Sequence, residues 1–221
     1  MSAILKIFYC FEAMPFIISL FYWAKVKNNY FKWFAIYLFY IFIADIGGSF
    51  IDRSITVKYN EIYYDYFVIP VEFLFLFWLF HKTFQFKENK RLPIICAGMY
   101  LFSFLVDVFY FSKHQFPFYS FSYSIGNLLL LILILLFFIQ LTNSDAILNY
   151  RQDMMFWICL GLLIYYLGTC PYYGLKNTFA YKYKKIRDVY NRIALVLDCI
   201  MYLRFTFSFI WGKPNLQSSR S

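Results

Sequence analysis

Carboxyl and carboxamide side chains lie inside long apolar stretches of this sequence. Glu72 is the only charged side chain of YFVIPVEFLFLFWLF, residues 66–80, and Asp198 lies within a second apolar stretch near the end of the chain. Polar groups in such surroundings are typical of ligand sites and of proton pathways in membrane proteins. The candidate residues for a ligand-binding or proton-handling pocket are Glu72, Asp198, Asp107, Asp45, Asn127, Asn191, Glu12 and Tyr165.

The cost of burying these groups predicts that they face one another or water. One acidic side chain at the centre of a membrane helix costs about 2.5 to 3.5 kcal/mol on insertion scales. Asp65 and Glu72 are seven residues apart, as are Asn191 and Asp198, so each pair shares one face of its helix. Pro70 removes a backbone donor next to Glu72, and we expect irregular backbone there. The sequence predicts a hydrated polar pocket; the alternative is that these groups only hydrogen-bond between helices.

The apolar stretches themselves are long enough to cross a bilayer. Hydrophobic residues make up 62% of the 221-residue chain and charged residues 15%, unlike a soluble domain. A membrane helix needs about 20 mostly apolar residues. The sequence predicts spans at about residues 4–23, 33–51, 62–80, 92–112, 118–141, 155–174 and 190–211. We therefore expect an all-α integral membrane protein, a seven-transmembrane-helix bundle forming one domain over residues 1–212, followed by a short polar tail at 213–221.

Composition and motifs argue against several classes of function. The 21 Lys and Arg residues give a net charge of +9 but are spread over short loops, so nucleic acid is not an expected partner. The five cysteines fall inside predicted spans without a C-x-x-C pair, and both histidines lie in or beside loops, so neither a disulfide framework nor a metal site is expected. Serine-hydrolase, P-loop and dinucleotide-binding patterns are missing from the sequence. We expect no cofactor and find no catalytic motif.

Two signals bear on the orientation of the predicted spans. Basic residues are more frequent in the loops after the first and third spans than in the loop between them, as the positive-inside rule expects of cytoplasmic loops. The loop KNTFAYKYKKIRDVYNR, residues 176–192, departs from this rule. Seven alternating spans place all five tryptophans on one face of the membrane, which supports an odd number of spans. We predict an outside amino terminus and a cytoplasmic carboxyl terminus. The pocket then opens to the outer face between spans two, three, four, five and seven.

Three segments of the chain carry a family pattern. They are FWICLGLLIYYLGT at 156–169, YNRIALVLDCIMYLRFTFSFIW at 190–211, and PVEFLFLF at 70–77 with its glutamate. Together they resemble a family of small, uncharacterised seven-span proteins common in Bacteroidota, over most of the chain. The resemblance implies a stand-alone module of the bacterial inner membrane. Members are often encoded near sensor histidine kinases, which implies such a kinase as a membrane partner. The basic loop at 176–192 departs from the family.

Three classes of function are compatible with this pattern. The favoured hypothesis is a ligand-sensing or accessory subunit of a membrane signalling complex, with the lipid bilayer and a membrane protein as its partners. A second is a proton- or cation-coupled small-molecule transporter that uses Glu72 and Asp198 as protonatable residues. A third is a lipid-modifying intramembrane enzyme with Glu72 as base and Asp107 or Asp198 as its partner. The sequence supplies acids for this third reaction but no nucleophile or anion-stabilising motif.

Overall fold

The computed structural model describes residues 3–54, 57–84, 89–111, 120–174 and 184–214. Within these ranges the chain is helical, and the one extended pairing is an isolated bridge between Asp153 and Lys213. The predicted tail from residue 215 onward, and the loop 175–183 between the last two predicted spans, lie outside the described residues.

The α-helices are numbered here in chain order. They are α1 (Ala3–Phe21), α2 (Trp23–Val26), α3 (Phe31–Ser54), α4 (Val57–Tyr63), α5 (Ile69–Thr83), α6 (Leu92–Val106), α7 (Ser120–Thr142), α8 (Met154–Gly174) and α9 (Lys184–Trp211). Two π-helical segments, Tyr64–Val68 and Asp107–Phe111, follow α4 and α6, and a 3-10 helix covers Asp145–Gln152.

Five helical stretches of the described chain are long and apolar enough to cross a membrane. They are Phe31–Ile51, Tyr64–Thr83, Leu92–Phe109, Phe121–Thr142 and Val189–Trp211, and they coincide with the second, third, fourth, fifth and seventh predicted spans. The first and sixth predicted spans fall on shorter apolar stretches, Ile7–Phe21 and Met154–Cys170. The described chain is therefore all-α, as predicted, and its long apolar helices indicate a membrane protein. Seven crossings remain a prediction.

Helix α6 shows how the side chains are distributed around such a span. Phe102, and Phe109 in the π segment that continues this helix, are each 70% exposed. Tyr100, Ser103 and Asp107, on the opposite side, are buried. A helix of a soluble protein buries its apolar stripe and exposes its polar one. Here the order is reversed, as expected of a helix whose outer face meets lipid and whose polar groups must find partners inside the protein.

The π segment before α5 accounts for the backbone irregularity predicted at Pro70. The N–H of Ile69 bonds to the carbonyl oxygen of Tyr64, five residues earlier, and Pro70 lies in the first turn of α5. Proline lacks an N–H and crowds the carbonyl four residues before it, so a wider π turn accommodates it at this point. The irregular backbone thus ends at Val68, about one turn before Glu72.

The chain divides into two compact units. Unit 1 comprises Met1–Phe42, Leu133–Leu167 and Ala194–Ser221, and unit 2 comprises Ile43–Ile132 and Gly168–Ile193. In unit 1 the ring of Phe34, which is fully buried, lies 5.2 Å from that of Phe205 and 5.9 Å from that of Phe209, measured between centroids. These contacts attach the start of α3 to the end of α9.

The C-terminal end of α9 is held by a lysine from α2. Lys25 Nζ donates hydrogen bonds to the carbonyl oxygens of Phe209 at 2.9 Å and Ile210 at 3.3 Å. The last carbonyls of a helix lack intrahelical partners and carry partial negative charge, so a lysine is well suited to them. Burial, and then the nearby charge of Lys213, lower the pKa of Lys25.

Helix α8 packs closely against the same end of α9. A Cβ atom built at Gly212 would meet the carbonyl oxygen of Ser208 and would lie 2.7 Å from the Cα of Met154. The carboxylate of Asp153 caps α8 by accepting a hydrogen bond from the Met155 N–H at 2.8 Å. The absence of a side chain at position 212 thus permits the two backbones to approach each other.

We predict that Gly212→Ala destabilises unit 1, because the new methyl group meets backbone atoms that cannot move independently. The expected loss is about 1 to 3 kcal/mol in the free energy of unfolding. Gly98→Ala is the matched control, since a Cβ atom there meets nothing within 4 Å. Thermal unfolding of both purified variants in detergent measures the difference. Equal melting temperatures would contradict the close approach.

Candidate functional site

The side chain of Tyr100 lies at the centre of the candidate site in unit 2. It is fully buried, and among the described residues its hydroxyl has no hydrogen-bond partner. Its ring packs against those of Phe73 and Phe77, with centroid distances of 4.9 Å and 6.1 Å. A buried hydroxyl that makes no hydrogen bond costs about 1 to 3 kcal/mol. Such a group in a native structure needs an explanation.

Three carboxyl groups act electrostatically on this hydroxyl. They belong to Glu72, Asp107 and Asp65. Asp107 and Asp65 are 1% and 6% exposed, and Glu72 is half-buried. We call these three residues and Tyr100 the Tyr100 cluster. Its members come from the third and fourth predicted spans, and two of them, Glu72 and Asp107, are predicted site residues that both act on Tyr100.

Both π-helical segments contribute an acid to this cluster. Asp65 is the second residue of the segment Tyr64–Val68, and Asp107 is the first residue of the segment Asp107–Phe111. The rings of Tyr66 and Phe104 lie 6.3 Å apart, which brings the two spans together near these segments. π-helical turns are rare and occur frequently at functional sites. Their coincidence with two buried carboxyl groups marks this part of unit 2 as a candidate site.

Asp107 also has a structural role. Its carboxylate accepts a hydrogen bond from the backbone N–H of Ser122 at 2.6 Å, and the Ser122 hydroxyl contacts it as well. Ser122 lies in the first turn of α7, where backbone N–H groups have no intrahelical partner. The positive end of the helix dipole also favours a negative charge there. Asp107 therefore caps α7 from the end of α6.

A glycine of α7 makes room for the Tyr100 ring. A Cβ atom at Gly126 would lie 2.9 Å and 3.0 Å from two carbons of that ring, and 3.0 Å from Phe73. The predicted site residue Asn127 follows directly and is fully buried. Phe73 also lies 5.5 Å from Tyr123, which precedes Gly126 by almost one turn. The first half of α7 thus covers the aromatic side of the cluster.

A second acid of unit 2 is engaged by a tyrosine. The Tyr64 hydroxyl donates a hydrogen bond to Asp45 Oδ1 at 2.7 Å. Gly48, one turn beyond Asp45 on α3, permits this contact, because a Cβ atom there would lie 2.6 Å from the Tyr64 ring and hydroxyl. Tyr64 begins the π segment that carries Asp65. The hydrogen bond to Asp45 therefore fixes the start of that segment.

The remaining predicted site residues are distributed over the two units. Asn191 belongs to unit 2 and is exposed. Glu12, Tyr165 and Asp198 belong to unit 1, where Glu12 is 1% exposed, Tyr165 is 9% exposed and Asp198 is half-buried. The structure thus assigns five of the eight residues to unit 2 and three to unit 1.

Several residues of the site were not among those predicted from the sequence. Tyr100 is the most important, and its spacing of seven residues from Asp107 was a usable signal, since both lie on one helix face. Asp65 carried the same signal through its spacing from Glu72. The contributions of Tyr64, Ser122 and Gly126 depend on neighbouring helices, and no spacing in one sequence indicates them.

Among the described residues, no group of three or more histidine, cysteine, aspartate or glutamate side chains is arranged to hold a metal ion. No protein-family model, curated protein or solved structure matches the chain. The geometry of unit 2 is therefore the main basis for a functional proposal.

We predict that Gly48→Ala displaces Tyr64 and breaks its hydrogen bond to Asp45. The expected loss is about 1 to 3 kcal/mol in the free energy of unfolding, because the new methyl group overlaps the tyrosine ring. Gly47→Ala is the control, since the nearest atom to its Cβ, the Tyr63 hydroxyl oxygen, lies at an ordinary 3.4 Å. The measurement is thermal unfolding in detergent. It is repeated in a Tyr64→Phe background, which keeps the ring and lacks the hydroxyl, so that the effect of the ring overlap is separated from that of the lost hydrogen bond. A Gly48→Ala effect no larger than that of Gly47→Ala would contradict the contact.

We also predict that Asp107→Ala destabilises the start of α7. Loss of a capping acceptor typically costs about 1 to 2 kcal/mol. Asp107→Asn retains an acceptor oxygen and should lose less. Hydrogen exchange at the first turn of α7, followed by mass spectrometry, should show faster exchange in the alanine variant. The exposed acid Asp145 provides a control variant, Asp145→Ala. Unchanged exchange in Asp107→Ala would show that the carboxylate does not cap the helix.

Proposed function

We propose that the protein is a seven-span subunit of a membrane signalling complex, in which the Tyr100 cluster detects a small ligand. The observation that carries this proposal is the buried Tyr100 hydroxyl, which has no hydrogen-bond partner among the described residues and lies in the field of three carboxyl groups. A ligand that forms a hydrogen bond with the hydroxyl would remove the free-energy cost of burying that group without a partner. The site lies inside a helical unit, so occupancy can change how the helices pack.

The two π segments support a mechanism for passing on the signal. A π turn holds one more residue than an α turn, so its conversion to α geometry changes the rotation of the helix beyond it. Asp65 and Asp107 lie within these segments. A ligand that binds to either carboxyl group therefore acts on a π segment. The geometry of that segment determines the rotation of the span to which it belongs.

The output of this mechanism is proposed to be a second membrane protein. The family resemblance supports a sensor histidine kinase as that partner. It also supports the inner membrane of a bacterium as the location. Seven crossings would put the two termini on opposite sides of the membrane, and the basic residues of the loops after the first and third predicted spans support an outside amino terminus and a cytoplasmic carboxyl terminus. The five long apolar helices, together with the shorter apolar stretches Ile7–Phe21 and Met154–Cys170, support the span count.

A proton- or cation-coupled transporter is the second candidate. The observation in its favour is that Asp65 and Glu72 both act on Tyr100 from one span, so carboxyl groups follow each other along that helix. Intramembrane carboxyl groups are common in proton relays. Flux into proteoliposomes decides between the two candidates, because only a transporter shows a flux that depends on pH and is lost in Glu72→Gln. A lipid-modifying reaction has less support, since one of its two candidate partner acids, Asp107, is already bonded to Ser122 and the other, Asp198, belongs to unit 1.

The test of the favoured proposal is affinity purification from native membranes in mild detergent, with mass spectrometry of co-purifying proteins. A stoichiometric membrane partner is the expected result. A protein that purifies alone under all conditions would contradict a subunit role.

We predict that Glu72→Gln preserves folding and partner binding but alters the signal. Glutamine keeps the size and hydrogen bonding of glutamate and removes the charge. Glu72→Leu removes the charge and the hydrogen bonding together. It should impair assembly only if the carboxyl group serves to hold helices together. The measurements are expression, melting temperature and the output of the partner, compared with Asp145→Asn as a control charge removal. Equal expression and equal output of both Glu72 variants would contradict the proposed site.

A further inference from the structure

The chemistry around Tyr100 restricts which ligand could fit there. The hydroxyl is buried, and among the described residues it has no hydrogen-bond partner, so a ligand must offer it a donor or an acceptor. Within the described part of the chain, the groups that act on it electrostatically are the carboxyls of Glu72, Asp107 and Asp65. Carboxylates repel an anion and attract a cation. The ligand that suits this site is therefore a positively charged hydrogen-bond donor.

The arrangement of the acids favours an organic cation over a metal ion. In the described parts of the chain no three acidic, histidine or cysteine side chains converge as metal ligands. One oxygen of Asp107 is also engaged by the Ser122 N–H. A primary ammonium group has three donors that point in different directions, so it can serve acceptors that do not converge on one point.

The aromatic rings beside the acids suit the same class of ligand. Phe73 lies at the junction of three rings, with centroid distances of 4.9 Å to Tyr100, 5.5 Å to Tyr123 and 6.2 Å to Phe77. Aromatic faces attract ammonium cations, and more strongly where water is excluded. They also provide an apolar surface for the carbon atoms next to the ammonium group.

We infer that the Tyr100 cluster binds a primary ammonium group, which donates hydrogen bonds to the Tyr100 hydroxyl oxygen and to Glu72. This inference rests on the proposed function and names the ligand class of that same site. The ammonium group can belong to a free amine or to the headgroup of phosphatidylethanolamine, which offer the same chemistry. The bilayer supplies the second source directly.

The experiment uses the full chain, purified in detergent and depleted of lipid. Ethanolamine is the free probe, and ethylene glycol is its neutral counterpart of nearly equal size. Calorimetry and thermal unfolding measure binding of each. A lipid arm compares nanodiscs of phosphatidylglycerol alone with nanodiscs that also contain phosphatidylethanolamine or phosphatidylcholine, whose ammonium group has no N–H donor.

We expect one of two supporting results. Saturable binding of ethanolamine without binding of ethylene glycol identifies a free amine as the source. A rise in melting temperature with phosphatidylethanolamine but not with phosphatidylcholine identifies the lipid. Binding in neither arm, or equal effects of the charged and neutral probes, would overturn the inference.

Point variants locate the binding in the cluster. Tyr100→Phe keeps the ring, removes the hydroxyl and should weaken binding about tenfold, as expected for one hydrogen bond to a charged group. Tyr59→Phe, at an exposed position of unit 2, should leave binding unchanged. Glu72→Gln should weaken binding at least about tenfold, and it serves as the test if Tyr100→Phe does not fold. Undiminished binding in a folded variant of either residue would place the amine elsewhere and reject the inference.

The signalling role is tested separately from the ligand. Ammonium binding without any change in a purified membrane partner would reject the proposed function and leave the ligand class standing. A partner that responds while no amine binds would reject the ligand class and leave the signalling role standing.

Discussion

The hydrogen bond between the Asp107 carboxylate and the Ser122 N–H connects the two helices on which the candidate site depends. Ser122 is buried, so water does not reach its N–H group and the protein must supply an acceptor. Asp107 does this for α7 from the end of α6, at a distance of 2.6 Å. The bond fixes α7 where Gly126 can lie over the Tyr100 ring. This structural requirement thus supplies one of the three carboxyl groups that act on the Tyr100 hydroxyl.

Close approach at two glycines determines where two tyrosine hydroxyls of unit 2 lie, those of Tyr64 and Tyr100. Gly48 admits Tyr64, which donates to Asp45, and Gly126 admits the ring of Tyr100. The outcomes differ, since Tyr64 reaches a hydrogen-bond acceptor and Tyr100 has none among the described residues. Small residues permit close helix packing in membranes, and hydrogen bonds between helices there are worth only about 0.6 to 2 kcal/mol each. The packing of Tyr100 against Phe73 and Gly126 therefore holds the hydroxyl in place without a hydrogen bond of its own.

Much of the helical content could be predicted from composition, because a run of about 20 apolar residues has few structural options in a bilayer. Five predicted spans coincide with long apolar helices. Glu72 and Asp107 could be predicted as site candidates because an acidic side chain inside an apolar stretch is costly. Tyr100 was not identified, because tyrosine is frequent in this chain and its burial depends on neighbouring helices. Apolar residues surround most of these helices on all sides, so sequence periodicity could not show which faces meet. The capping role of Asp107 was also unpredictable, since its partner is a backbone group fifteen residues away.

The π segment before α5 couples the chemistry of the cluster to the packing of its span. Ile69 bonds to Tyr64 across five residues, Pro70 prevents a regular bond at the next position, and the Tyr64 hydroxyl holds the segment to Asp45. Conversion to an α turn would rotate the residues beyond it, including Glu72 and Phe73, relative to α4. The Phe73 contacts with Tyr100 and Tyr123 could not survive such a rotation. A ligand that binds Glu72 and Tyr100 together interacts only with the arrangement in which they are close, and differential binding of this kind is what a population shift requires.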